Sequence, residues 1–220
     1  MNEVVLRIRE DSSVAVEDNQ GGVKAFKEIS PDSLAGCIHK SLLRGTEASG
    51  LLPRGCLSFT AYDNGDKSVC ILHPESKADI TYYGSLYPGF PLPKLVFAFN
   101  ITQENRISQC WLGVIGNEGC LKPATPMFAY PFSNVSGTHL CTGNNVLPKC
   151  ESLHTLGSVP YYILGMDNNN DHFKRTNNKP GLEMRDLLEL LKDKPEEYYY
   201  SHILIPSGST LGGFISERSR

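Results

Sequence analysis

The residue of this sequence best suited to chemistry is Cys141, which ends the loop Pro131-Phe-Ser-Asn-Val-Ser-Gly-Thr-His-Leu-Cys141. A cysteine acts as a nucleophile only where its thiol can be reached and can lose its proton. The run Thr142-Gly-Asn-Asn145 that follows is typical of turns and predicts an accessible loop. Other cysteines fall in predicted strands, where the side chain packs as a small hydrophobic group: Cys56, Cys70 and Cys110. Cys141 is therefore the candidate nucleophile, and the alternative is an inert loop cysteine.

Two residues close to Cys141 complete a candidate catalytic group. Asn134 lies seven positions earlier, and its side-chain amide can donate a hydrogen bond to a developing oxyanion. His139 lies two positions earlier, so an extended backbone would point it the same way as Cys141 and make it a candidate base. His154 and His172 are further candidates for the base. The alternative for Asn134 is a turn-forming role after Pro131-Phe-Ser.

The same region also permits a zinc hypothesis. Four possible ligands follow the pattern H-x-C-x8-C-x3-H, namely His139, Cys141, Cys150 and His154. These donors suit a tetrahedral zinc site, although neither half of the pattern has the usual spacing of a zinc knuckle. A zinc-stabilised structural protein is therefore the less favoured alternative, and the main hypothesis predicts neither a metal nor a cofactor.

Composition and cysteine usage narrow the class of protein. The chain has 220 residues, of which 40% are hydrophobic, and its net charge of −3 does not favour general binding to nucleic acid. The seven cysteines are odd in number and contain no C-x-x-C pair. The sequence also lacks a signal-peptide pattern and an apolar stretch long enough to span a bilayer. We predict a cytoplasmic protein with free thiols that binds neither membrane nor nucleic acid, and the oligomeric state is left open.

The elements that would position Cys141 begin with a run of strands. Turn-forming residues separate five predicted strands: Cys56–Thr60, Ser68–Leu72, Ala78–Tyr83, Leu92–Phe99 and Ser108–Ile115. Short connections of this kind favour an antiparallel meander. The segment Leu95–Phe99 is apolar throughout and is expected to be a central strand covered on both faces.

The segments around these strands are predicted as follows. A hairpin of Val4–Ile8 and Ser13–Val16 is predicted to precede a helix. Ser30 caps this helix, and Gly45 and Gly50 end it. One face of the helix carries Leu34, Ile38 and Leu42. Residues 122–148 show neither helical nor strand periodicity, and a loop of this length is often functional. Short helical segments are predicted at Glu151–Leu156 and Leu182–Lys192, and Tyr198–Ile205 is expected to add a strand or pack on the core. The predicted domains are residues 1–50, 51–205 and a flexible tail, 206–220.

The order of the predicted elements resembles the ubiquitin-conjugating enzyme fold. A helix comes first, followed by an antiparallel meander, a long Pro-rich segment with one thiol (residues 122–148, which we call the flap) and closing helices. Conjugating enzymes carry a His-Pro-Asn triplet, a short turn with Gly, and an aliphatic residue before the catalytic Cys. The flap here matches in type and order at Asn134, Gly137, Leu140 and Cys141. It departs from the pattern at Phe132 and Ser133 and in a turn one residue shorter. The resemblance implies an α+β fold of the conjugating-enzyme type.

The chain resembles a bacterial branch of this superfamily more closely, and that branch is similar to prokaryotic conjugating-enzyme family D. It resembles the protein B family of the mobile-element cassette that also encodes ParB-related and ThiF-related proteins, the PRTRC system. Five short segments over roughly residues 50–175 carry the resemblance: Leu52-Pro-Arg-Gly55, Pro91-Leu-Pro93, Pro131-Phe-Ser-Asn-Val135, Leu140-Cys-Thr-Gly143 and Pro160-Tyr-Tyr-Ile-Leu164.

The resemblance implies an acyl carrier. A ThiF-type activating enzyme would pass the C-terminal carboxyl of a ubiquitin-like protein to Cys141 as a thioester, from which an amine would take it. Such a site needs positioning and oxyanion stabilisation more than any cofactor. The departures from the pattern keep open a second possibility, in which the same fold is a catalytically inactive binding module.

Overall fold

The computed structural model describes residues 3–20, 23–42 and 49–218. The chain divides into two compact units, Met1–Ala48 and Ser49–Arg220. The first unit is an antiparallel three-stranded sheet followed by a helix: β1 (Glu3–Ile8), β2 (Val14–Gln20), β3 (Val23–Ile29) and α1 (Pro31–Leu42).

The predicted N-terminal hairpin is confirmed, and β3 adds a strand that the sequence did not reveal because Lys and Glu interrupt its apolar alternation. The predicted cap of α1 is also confirmed, since the backbone N–H of Ser33 donates to Ser30 Oγ at 3.1 Å. Gly45, at which the helix was expected to end, lies outside the described residues.

Six strands open the second unit: β4 (Cys56–Ala61), β5 (Lys67–His73), β6 (Ser76–Tyr82), β7 (Ser85–Leu92), β8 (Leu95–Ile101) and β9 (Ile107–Ile115). The five predicted strands are present, but the one expected to begin at Leu92 begins at Leu95. The segment Tyr87-Pro-Gly89, whose residue types are typical of a turn, lies inside β7, where the pairing with β6 shifts register between Ala78 and Ile80. Because β6 and β7 form a separate two-stranded sheet, β5 pairs with β8, and the prediction of a simple meander is wrong at this point.

Three short strands lie in the stretch that showed no periodicity: β10 (Pro126–Phe128), β11 (Val135–Ser136) and β12 (His139–Leu140). Along the main path of the sheet the strand order is β11-β12-β9-β8-β5-β4, and β10 also pairs with β9. All of the pairings between named strands are antiparallel. The flap that carries Cys141 is therefore attached to this sheet through β9, and the expectation of a structureless loop is corrected.

Strand β8 is buried on both faces, as its sequence predicts. Leu95, Phe97 and Phe99 belong to the larger hydrophobic core, which also contains apolar residues of the helices Val159–Leu164 and Met184–Leu191. Val96 and Ala98 point to the opposite face and belong to a second, smaller core. This alternation follows from the two-residue period of a strand and places β8 at the centre of the unit.

Helices and one further strand complete the chain: α2 (Val159–Leu164), α3 (Met184–Leu191), β13 (Pro206–Thr210) and α4 (Leu211–Arg218). Pro160 lies in the first turn of α2, where its missing N–H removes no helical bond. The predicted buried face of α3 is confirmed, and it consists of Met184, Leu187, Leu188 and Leu191. Tyr199–Ile203 forms a π-helical turn and packs on the core.

The prediction of a flexible tail from residue 206 was wrong for the residues that the structure describes. Strand β13 pairs with β10, and Leu211 and Phe214 of α4 cover the smaller core. The many Gly and Ser residues obscured these two apolar side chains, whose burial offsets the entropy lost on ordering the segment. Within the described part of the chain, no helix is both long and apolar enough to cross a membrane.

The packing of α4 predicts that Phe214→Ala lowers the free energy of unfolding by about 3 kcal/mol, because it leaves a cavity in the smaller core. Leu86→Ala is the control, since Leu86 is 59% exposed and its truncation should change stability by less than about 0.5 kcal/mol. Urea unfolding followed by the fluorescence of Trp111, the only tryptophan, measures both. Equal midpoints for the two variants would show that α4 does not stabilise the sheet.

Candidate functional site

Cys141 and Asn134 are brought together by the hairpin of β11 and β12. Val135 pairs with Leu140, and Ser136 pairs with His139. The loop between them begins with Gly137, whose φ of +63° is accessible to glycine at little cost. The backbone N–H of Cys141 donates to the carbonyl oxygen of Asn134 at 2.8 Å. The seven-residue separation in sequence is thus closed at the base of the hairpin.

A second set of bonds holds Asn134 against the polar loop that follows α2. Its backbone N–H donates to the carbonyl oxygen of Asp171 at 2.8 Å, and its Nδ2 donates to the carbonyl oxygen of Asp167 at 3.2 Å. Asn134 has a φ of +64°, a conformation that asparagine tolerates better than most residues. Because Nδ2 carries two N–H donors, the bond to Asp167 uses one and leaves the other for a ligand.

Asn168, which the sequence did not single out, joins three segments beside this hairpin. It accepts a hydrogen bond from Ser133 Oγ at 2.9 Å, and its Nδ2 donates to the carbonyl oxygens of Thr81 and Met166 at 3.3 and 3.2 Å. Ser133 is 1% exposed, so this bond satisfies a buried hydroxyl. No pattern in a single sequence distinguishes Asn168 from the neighbouring Asn169 and Asn170.

Phe132, at the start of the hairpin segment, belongs to the core. It is 3% exposed and makes edge-to-face contacts with three aromatic rings, with centroid distances between 5.4 and 6.2 Å: Phe90, Tyr130 and Tyr199. Such contacts add to the burial of the ring itself. Phe132 therefore anchors the hairpin by packing and presents no polar group to the site.

Cys141 is exposed and borders two cavities. The larger has a volume of about 540 Å³ and lies between the first residues of β9 and the segment that follows Cys141. The smaller has a volume of about 20 Å³, and both Cys141 and Asn134 line it. A space of that size holds about one water molecule, and hence about one oxygen atom of a substrate. The predicted accessibility of Cys141 is confirmed.

Three cysteines of the second unit, Cys70, Cys110 and Cys150, differ from Cys141 because they are buried. Burial raises the pKa of the Cys70 thiol to about 12 and also raises the pKa values of Cys110 and Cys150. Cys56, predicted to be packed in a strand, is half-buried, and desolvation raises its pKa as well. Cys120 is exposed, as Cys141 is.

His139 lies on the same cavity as Cys141, so the structure brings the third predicted site residue to the hairpin. Its ring is exposed and meets the edge of Trp111 with a centroid distance of 6.2 Å. The other candidate bases lie elsewhere on the surface. His154 Nδ1 is hydrogen-bonded to Ser152 Oγ at 2.9 Å, and His172 is exposed in the polar loop.

The zinc hypothesis finds no support in the described residues. His139, Cys141, Cys150 and His154 do not come together, and no group of three or more His, Cys, Asp or Glu side chains in residues 3–20, 23–42 and 49–218 could hold a metal ion. Cys150 is buried and donates from Sγ to the carbonyl oxygen of Ser152 at 3.5 Å.

Arg218, in the segment predicted to be a flexible tail, contacts the loop of the hairpin. Its side chain is only 11% exposed. One end of the guanidinium donates to Thr138 Oγ1 in the hairpin loop, and the other donates to the carbonyl oxygen of Phe214. The group also lies over the Trp111 ring, with 5.8 Å from Cζ to the ring centroid. Helix α4 is thereby connected to the loop that leads into His139 and Cys141.

Comparison of this chain with protein-family models, with curated proteins and with solved structures gives no match.

The burial of the cysteines predicts selective alkylation. Iodoacetamide at pH 8 should label the exposed thiols of Cys37, Cys120 and Cys141 in the folded protein. Cys70, Cys110 and Cys150 should react only after unfolding in urea, because their buried thiols are neutral and inaccessible. Cys70 should stay unlabelled up to pH 10, since its pKa is about 12. Peptide mapping by mass spectrometry measures each site. Protection of Cys141 comparable to that of Cys110 would remove it as a nucleophile.

The contacts of Arg218 predict a second outcome. Arg218→Met should lower the free energy of unfolding by about 2 kcal/mol, because buried hydrogen bonds from a charged group are lost. It should also change Trp111 fluorescence and accelerate the alkylation of Cys141 relative to that of Cys120. Arg175→Met is the matched control, since Arg175 is exposed and pairs with Glu183 at the surface. An unchanged ratio of Cys141 to Cys120 labelling would show that α4 does not hold the hairpin.

Proposed function

We propose that this chain is a conjugating-type acyl carrier, which holds the C-terminal carboxyl of a ubiquitin-like protein as a thioester on Cys141. The observation that carries the proposal is the position of Cys141: the thiol is exposed, and the residue is hydrogen-bonded to Asn134 at the base of a hairpin that is attached to the central sheet. A rigid scaffold of this kind positions a reactive group with little loss of entropy at the moment of reaction.

The chemistry is a thioester exchange. The Cys141 thiolate attacks the carbonyl carbon of the incoming thioester, a new sulfur–carbon bond forms, and the donor's thiolate leaves with the proton that Cys141 has lost. His139, on the same cavity, is the group that accepts and returns this proton. The remaining N–H of Asn134 Nδ2 points to a role for this side chain in binding the oxyanion in the small cavity that it shares with Cys141.

The order of the elements supports this proposal. An antiparallel sheet leads into a Pro-rich segment with a single exposed thiol, and helices follow, as in the conjugating-enzyme family that the sequence resembles. Family D of the prokaryotic conjugating enzymes supplies the partners of the proposal, a ThiF-type activating enzyme and a ubiquitin-like protein. Phe132 stands at the place of the family's His and packs in the core. Ser133 stands at the place of its Pro and donates a hydrogen bond to Asn168.

A second candidate function is a binding module that contacts the same partners without carrying an acyl group. One observation favours it: the Asn134 amide already donates to the carbonyl oxygen of Asp167, so part of its hydrogen-bonding capacity serves the structure. In this alternative the flap is a recognition surface, and Cys141 has no covalent role.

The two functions are separated by mixing the protein with the ThiF-type enzyme and ubiquitin-like protein of the same gene cassette, together with ATP. We expect an adduct whose mass equals the sum of the two proteins minus one water, and which excess dithiothreitol removes. Cys141→Ala should abolish the adduct completely, because no other group replaces the thiol.

Cys120→Ala is the control, because Cys120 is also exposed but lies outside the hairpin, and the adduct should persist in this variant. An adduct that is lost in Cys120→Ala and kept in Cys141→Ala would refute the assignment of Cys141. Tight binding of the ubiquitin-like protein without any adduct would establish the binding module in its place.

A further inference from the structure

The larger cavity beside Cys141 continues into a second cavity of about 720 Å³. The two share Ser108 and Gln109 of β9, and the second extends past Asn100 of β8 to the turn between β4 and β5. We call the combined cavity the β9 groove. One end of the β9 groove is Cys141, and the other is the turn that contains Asp63 and Asp66.

The dimensions of the β9 groove fit a short extended peptide. It crosses β5, β8 and β9 and ends next to β12, and these are neighbouring strands of the sheet. With roughly 4.8 Å between strands, the span from β5 to β12 is about 14 Å. An extended chain rises roughly 3.3 Å per residue, so four or five residues fill this length.

The floor of the β9 groove offers hydrogen bonds to such a chain. Asn100 lies directly opposite Gln109, and its Oδ1 is buried without a hydrogen-bond partner among the described residues. A buried acceptor left without a donor destabilises the protein. A backbone N–H of a bound peptide would satisfy it. Ser108 Oγ already donates to the Asn100 carbonyl oxygen, and Gln109 Oε1 already accepts from Asn100 Nδ2. Ser108 Oγ can still accept a hydrogen bond from a peptide, and Gln109 Nε2 can still donate one.

The charge of the β9 groove changes along its length. Arg106 and Lys149 line the cavity at the Cys141 end, and no Asp or Glu of the described residues lines that cavity. Acidic residues line only the far end, where Lys67 lies beside Asp63 and Asp66. Asp66 is bonded to Asn64 Nδ2 and to the backbone N–H of Gln103. The end next to the thiol is therefore complementary to negative charge.

We propose that the β9 groove binds the extended C-terminal segment of the acyl donor, and that acidic side chains just before the reacting carbonyl pair with Arg106 and Lys149. This inference rests on the proposed function and adds the chemical class of the donor to it. The reaction is unchanged: the sulfur–carbon bond to Cys141 forms, the donor's sulfur–carbon bond breaks, and the released thiolate takes the proton.

The test uses synthetic peptide thioesters of a small thiol as acyl donors to the full-length protein. One probe is N-acetyl-Ser-Asp-Glu-Gly-Gly thioester, its counterpart carries Lys-Arg in place of Asp-Glu, and N-acetyl-Gly-Gly thioester gives the basal rate. Intact-protein mass spectrometry follows acylation of Cys141. We expect the acidic probe to react about fivefold to tenfold faster than the basic one at low salt. The preference should shrink in 1 M NaCl.

Charge reversal supplies the matched variants. Arg106→Glu combined with Lys149→Glu should remove or invert the preference. The control combines Lys77→Glu with Lys174→Glu, which changes the net charge equally at exposed positions outside the β9 groove and should keep the preference.

The outcomes separate this inference from the proposed function. Equal rates for the acidic and basic probes, with clear acylation of Cys141, would overturn the peptide class and leave the acyl carrier intact. Loss of the preference for the acidic probe in the Lys77→Glu, Lys174→Glu control would show that net charge causes this preference. That result would also overturn the role of the β9 groove. No acylation of Cys141 by any of the three probes would overturn the acyl carrier, and the inference with it.

Discussion

The burial of β8 on both faces is the constraint on which the position of the candidate site depends. Water does not reach the backbone of this strand, so its N–H and C=O groups must pair with neighbouring strands. The seven residues of β8 pair with β5 on one side and with β9 on the other. Strand β9 is thereby held on one side, and its other edge receives β10 and the hairpin of β11 and β12. Cys141 directly follows β12, the strand that pairs with this edge of β9.

The exposure of Cys141 follows from the burial of its neighbour. Leu140 and its hairpin partner Val135 both belong to the larger core. Side chains alternate along a strand, so burying Leu140 turns His139 away from that core. Cys141 follows at the end of β12, where it is exposed beside the small cavity that it shares with Asn134. Accessibility of the thiol thus does not require a mobile loop. It results from a packed residue beside it, and the hydrogen bonds of Asn134 then fix the backbone at the point where the hairpin leaves the sheet.

The sequence predicted most of the central sheet, because its strands are five residues or longer and carry a period or an apolar run. It also predicted the exposed thiol, from turn-forming residues alone. It could not predict β11 and β12, since strands of two residues carry no period. The contacts of Asn134 with Asp171, and of Arg218 with Thr138, join residues 37 and 80 positions apart, and nothing local records them. The burial of Phe214, which stabilises the C-terminal segment, could not be predicted because the surrounding residues are mostly Gly and Ser.

In the proposed likeness to the conjugating enzymes, the departures fall on residues that hold the hairpin, whereas the residue proposed to react is kept. At the place of the family's His, Phe132 packs against aromatic rings, and at the place of its Pro, Ser133 donates a hydrogen bond to Asn168. His139 meets the edge of Trp111, and such a contact does not orient an imidazole as a carboxylate would. A weakly oriented base activates water poorly. If Cys141 carries an acyl group as proposed, poor activation of water would slow hydrolysis of the thioester and so preserve it for transfer.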